Sequence, residues 1–164
     1  MRDSSLAAAH NLLGFVYTQK KQYDQALAEV EQAVALNPNE ADAYVRQAEV
    51  LGFAGRPEEA LRSMEHAMQL NPRHPPWYFL NFGWACNSTG QYDKAIVALK
   101  TLVLRNPNHL SAYKQLADSY SFQWNSQLNQ DPQILEQASA AAHKAVALND
   151  SLSWTRMTLG SVYL

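Results

Sequence analysis

Asn-Pro closes three apolar runs in this chain, at Asn37-Pro38, Asn71-Pro72 and Asn106-Pro107, and a fourth run stops at Asp150. Asn tolerates the left-handed conformation at a helix end and Pro cannot continue the helix, so each pair reads as a helix stop. A stop signal alone does not explain the intervals. Pro38 and Pro72 are 34 residues apart, Pro72 and Pro107 are 35, and Pro107 and Asp150 are 43. Stops at a near-even interval imply one helical hairpin used several times, each copy burying its apolar face only against its neighbours.

Set in register on the prolines, the chain divides into repeats at 7–40, 41–74, 76–109 and 110–152, with a half repeat at 153–164. The first carries Leu13, Gly14 and Tyr17, then Ala26, Val30, Ala33 and Pro38. The second carries Tyr44, Ala48 and Leu51, then Ala60, Met64, Ala67 and Pro72. Phe79, Phe82, Gly83 and Cys86, then Ala95, Leu99, Leu102 and Pro107, fill the third. Tyr113, Leu116, Ala117 and Tyr120, then Ala138, Ala142, Ala145 and Asp150, fill the fourth, and Leu159, Gly160 and Tyr163 open a fifth. Within the first helix of a repeat, helix A, the fourth, seventh, eighth and eleventh residues share one face. The eighth is always small, which lets the second helix, helix B, approach closely. Turn and start signals separate the two, as in Gly55, Pro57, Glu58 and Glu59, or Asp24 and Asp93 elsewhere. The predicted helices are 5–19, 24–36, 40–53, 57–70, 76–88, 93–105, 110–124, 132–148 and 152–164.

These residues resemble the tetratricopeptide repeat family from about residue 3 to the end. The resemblance implies an all-α, right-handed α-α superhelical solenoid of four helix pairs plus one terminal helix. It also implies a non-catalytic protein-protein interaction module with a concave groove for a peptide or protein segment. A narrower resemblance lies in "VYTQKKQYDQALAEVEQAVALNPNEADAYVRQAEVLGFAGRPEEAL" and "LNPRHPPWYFLNFGWACNSTGQYDKAI", with the insertion "WNSQLNQDP". These phrases are similar to the arrays that follow the catalytic domain in bacterial adenylate/guanylate cyclase-type signalling proteins, where the array is the accessory part. No cyclase metal-binding aspartates are carried over.

Two departures stand out. The fourth repeat holds nine extra residues between its helices, read as a prolonged helix A, a polar loop near 125–130, and a helix capped by Asp131 with Pro132 in first position. The ends, "RDSSLAAAHNLLGFVY" and "NDSLSWTRMTLGSVYL", fall at the same phase of the repeat. Helix 152–164 shows Trp154, Met157, Leu159, Val162 and Leu164 where a terminal repeat normally turns a polar face outward. The chain is therefore expected to be a piece of a longer array, and self-association through its stacking ends is the alternative function.

Chemistry is sparse. The net charge of −2 provides no basic stripe for nucleic acid. No run reaches the ~18 apolar residues of a membrane helix, and the start lacks the apolar core of a signal peptide. A cytoplasmic setting is expected, with the periplasm left open. The single Cys86 falls on the core face of its helix, and the histidines lack metal-type clustering. No phosphate loop or triad is present, so no enzyme activity, cofactor or metal is expected.

The stripe opposite the core face is more informative. It carries Phe15, Asp42, Arg46, Glu49, Trp77, Asn81, Trp84, Lys114, Asp118 and Trp154. In the family this stripe lines the groove. The carboxylate clamp of its chaperone-binding members is broken here: Asn81 matches the middle element, but Val45 and Glu49 precede it and Ser111 and Gln115 follow. What remains is an aromatic groove with a few charges. Trp77 and Trp84, two turns apart, suit an apolar or aromatic peptide anchor, with Arg46 and Lys114 toward an acidic neighbour. Asp42–Arg46 and Lys114–Asp118 have the spacing of i, i+4 ion pairs.

Overall fold

The computed structural model describes residues 2–126 and 131–148, and these form eight α-helices with no strand among the described residues. They are α1 (Arg2–Gln19), α2 (Tyr23–Leu36), α3 (Ala41–Phe53), α4 (Pro57–Leu70), α5 (Trp77–Ser88), α6 (Tyr92–Arg105), α7 (Leu110–Ser126) and α8 (Pro132–Leu148). α4 and α8 have the bounds expected from sequence, α1 begins three residues early, and the rest agree within two residues. The expected ninth helix, 152–164, lies outside the described residues. By contact, the chain forms two compact units, Met1–Asn81 and Phe82–Leu164, divided within α5.

In the first unit, α1 packs on α2, α2 on α3, and α3 on α4; in the second, α6 packs on α7 and α7 on α8. The helix-B residues expected to face inward do so: Ala26, Val30, Ala33, Ala60, Met64, Ala67, Ala95, Leu99, Leu102, Ala138, Ala142 and Ala145 are all buried. Burying one Val, Leu or Met side chain contributes about 1.5–3 kcal/mol. The alanines contribute less and set how near the helices come.

That nearness is decided at the eighth residue of helix A. A Cβ at Gly14 would lie 2.5 Å from Val30 Cγ1, and one at Gly83 would lie 2.9 Å from Leu99 Cγ. Branched Val30 and Leu99 thus stand opposite glycine. In the other two pairs alanine takes the position: Ala48, whose counterpart in register is the unbranched Met64, and Ala117, whose counterpart is Ala142. Cys86 is buried as expected.

The Asn-Pro stops work differently from the sequence expectation. Asn37, Asn71 and Asn106 have φ of −141°, −124° and −136° with ψ of 81°, 80° and 87°, so none is left-handed. The cause is the proline itself, whose ring excludes the helical region for the residue before it. Each Asn still donates its backbone N–H into the helix, to the carbonyls of Ala33, Ala67 and Leu102. Each Asn carbonyl then accepts the N–H three residues on, from Glu40, His74 and His109 at 3.0–3.1 Å. The same closed turn therefore starts α3 and α7 and leads into α5.

The left-handed residues sit instead at the first three A-to-B turns: Lys21 (φ 58°), Gly55 (φ 75°) and Gly90 (φ 73°), one in each at the same register. The following N–H groups, of Gln22, Arg56 and Gln91, each reach the carbonyl five residues back at 2.9 Å, on Tyr17, Leu51 and Cys86. Together with the bonds from Lys21, Gly55 and Gly90 to the carbonyls three back, this is a Schellman closure. In the fourth pair Gln133 N–H donates to Asp131 Oδ1 at 2.9 Å, the expected cap, with Pro132 in the first turn. α7 is prolonged, as expected, to Ser126.

The turn sets a sign test. Gly55→Ala should lower stability by about 1 kcal/mol through left-handed strain alone, since its Cβ would meet nothing within 4 Å. Lys21→Gly, at the same point of the first turn, should raise stability by up to about 1 kcal/mol, less the added freedom of the unfolded chain. Urea midpoints moving in the same direction for both variants would rule out backbone conformation as the selecting force.

Candidate functional site

Helix A exposes a second face because its core face is spent on helix B, and in the first compact unit that face belongs to α1, α3 and the start of α5. Phe15 is 41% exposed, and the Arg46 guanidinium lies over its ring at 5.0 Å from the centroid. Arg46 Nη1 is ion-paired with Glu49 Oε2, one helical turn on. The other oxygen, Glu49 Oε1, accepts from Asn81 Nδ2 at 3.3 Å. Phe15, Arg46, Glu49 and Asn81 thus form one linked set across three successive A helices, with each rotamer held by the next.

Asp42 differs from the sequence expectation. It forms no ion pair with Arg46: its Oδ1 accepts a hydrogen bond from the Tyr78 hydroxyl, and Arg46 turns toward Glu49. The reason is geometric, since Arg46 gains both the carboxylate and the Phe15 ring in that direction. Burial first, and then the hydrogen bond to Asp42, push the Tyr78 phenol above its ordinary range. It therefore stays protonated and remains a donor. Sequence reasoning passed over Tyr78, yet a signal was present: the equivalent third residue of helix A is Ala43 in α3 and Ala112 in α7. A phenol there fills space the other repeats leave small.

Beside this set lies a cavity of about 300 Å³ lined by Asn11, Leu12, Phe15, Asp42 and Arg46. Leu12, also missed from sequence, is 64% exposed. Trp77 is exposed, with its ring edge-on to Tyr78 at 4.4 Å between centroids. Two larger clefts, of about 400 and 350 Å³, lie at the A-to-B turns around Tyr23 and Tyr92. They are lined chiefly by polar turn residues and contain none of the stripe residues.

In the second unit Trp84 is half-buried, and Lys114 Nζ pairs with Asp118 Oδ2 at 3.3 Å, as the spacing predicted. Burial raises the Asp118 carboxyl above its ordinary value, and Lys114 pulls it back. Trp154 lies outside the described residues. Among the described residues no three His, Cys, Asp or Glu side chains form a metal-holding group, and no helix is long and apolar enough to cross a membrane.

Tetratricopeptide repeat family models match residues 4–72 and 54–119. No curated protein matches. Among solved structures, MamA from Desulfovibrio magneticus RS-1 is 19% identical with a TM-score of 0.79, over 95% of this chain and 82% of that one. PilF of Pseudomonas aeruginosa is 20% identical with a TM-score of 0.79, over 99% and 69%. YrrB, a TPR protein with an unusual peptide-binding site, is 23% identical with a TM-score of 0.76, over 99% and 77%. At such identities the likeness is one of fold, an all-α solenoid of helix pairs.

Proposed function

Because the chain belongs to the tetratricopeptide repeat family, we propose that it is a non-catalytic interaction module whose A-helix stripe holds a peptide or protein segment. One observation carries this reading: Phe15, Arg46, Glu49 and Asn81 are locked to one another across α1, α3 and α5, beside an open cavity with an apolar wall. A surface whose rotamers are already fixed loses little entropy when a ligand arrives. By sequence register the proposed stripe also includes Trp77, Trp84, Lys114, Asp118 and Trp154. Its setting is an accessory part of a bacterial signalling protein; the support is the phrase-level resemblance to cyclase-type arrays.

The test is calorimetry with a peptide selected from a random display library on the full chain. Phe15→Ala and Trp84→Ala should each weaken binding by at least about 2 kcal/mol, roughly 30-fold. Phe15→Ala should leave the melting temperature nearly unchanged, since the ring is already part-exposed. Val97→Ala, on the exposed side of helix α6, should do nothing. Binding that survives both aromatic truncations would defeat the groove reading.

A second reading, self-association, is favoured by α1. Leu13 and Val16 are 41% and 37% exposed, whereas their counterparts in register, Leu116 and Ser119 in α7, are buried, as is Val50 in α3, which clusters with Ala26 and Val30 of α2. A second copy of the chain is the proposed occupant of this face. Light scattering across a concentration series should then show a species heavier than 18.4 kDa, reduced by Leu13→Gln with Val16→Gln. A monomer at every concentration would remove this reading.

A further inference from the structure

We propose that the α1/α3 cleft selects a basic side chain, lysine or arginine, next to an apolar residue in the bound segment. This rests on the groove reading above and reverses the acidic preference that Arg46 suggests in the sequence. Arg46 is the only cation among the described residues that line the cleft, and its charge is already met by Glu49. Glu49 is used at both oxygens, by Arg46 and by Asn81. Asp42 is the carboxylate left over. It is exposed, one of its oxygens takes the neutral Tyr78 hydroxyl, and no described residue sets a cation against it.

Glu49, though outside the lining, neutralises Arg46, so Asp42 and Glu49 against one guanidinium give the set a net charge of −1. The amino end of α3, beside Asp42, offsets only about half a charge. The opposite wall is apolar, formed by Leu12 and the edge of Phe15, both exposed. Charge and wall together fit a side chain with an aliphatic stem and a cationic head, whose stem lies along Leu12 while its head reaches Asp42. The volume also agrees. About 300 Å³ is the bottom of the range for small-molecule sites, enough for one or two side chains of a longer segment. An acidic residue would instead meet Asp42 and lose to Glu49 in any contest for Arg46.

Random linear peptides displayed as a library and panned on the full chain at low salt provide the test. Selected peptides should be enriched in Lys or Arg adjoining an apolar residue, and added salt should weaken that preference. Asp42→Asn keeps an acceptor for the Tyr78 hydroxyl while removing the charge. It should weaken these peptides about fivefold and abolish the basic enrichment on repanning, at an unchanged melting temperature. Phe15→Ala should weaken every selected peptide whatever its charge. Peptides sensitive to Phe15→Ala but acidic or neutral, and indifferent to Asp42→Asn, would overturn the basic preference and leave the groove standing. Peptides insensitive to both changes, or no enrichment at all, would overturn the groove reading together with it.

Discussion

Two helices pack face to face only as closely as the side chains between them permit, and here that limit is set by the eighth residue of helix A. Where Val30 or Leu99 projects from helix B, helix A offers bare backbone at Gly14 or Gly83. Where the register brings Met64 or Ala142, alanine suffices. The branched side chain on one helix and the missing one on the other are a single packing decision, and overfilling such a site costs on the order of 1–3 kcal/mol. Everything on the far face follows from it. With the core face spent on helix B, Phe15, Arg46 and Glu49 lie on the other side, where the Arg46 guanidinium meets the Phe15 ring and Glu49.

Much of the fold was legible because it is periodic. Helix B wrote its inner face as Ala26, Val30 and Ala33, then repeated it at equivalent places, and burial followed the spelling. The Asn-Pro stops were legible as stops but not in conformation. Reading Asn by its own preference suggested a left-handed end, whereas the following proline dictates the extended one. The left-handed residue lies at the other turn, and at Lys21 it is not even glycine, so composition could not reveal it.

The candidate site was legible in membership more than in wiring. Periodicity placed Phe15, Asp42, Arg46, Glu49 and Asn81 on one stripe, and the first unit does bring Phe15, Arg46, Glu49 and Asn81 together. Which charge meets which is a three-dimensional question. Arg46 has Asp42 one turn back and Glu49 one turn on, and only the Phe15 ring and the Tyr78 hydroxyl, both from other helices, break the tie. That reassignment turns an apparent free cation into a satisfied one and leaves Asp42 as the unmatched charge. The pair expected from spacing in the second unit, Lys114 with Asp118, does form.

The claim at the centre is that ligand contact falls on the A-helix stripe. Site-specific photocrosslinking tests it most directly, with a benzophenone side chain placed at Leu12, on the cleft wall, or at Val97, exposed on helix α6. Each labelled chain would be irradiated with a library-selected peptide, and the adducts located by mass spectrometry. Adducts from Leu12, suppressed by excess unlabelled peptide and absent from Val97, are the expected result. Equal adducts from both positions, or adducts from Val97 alone, would contradict it.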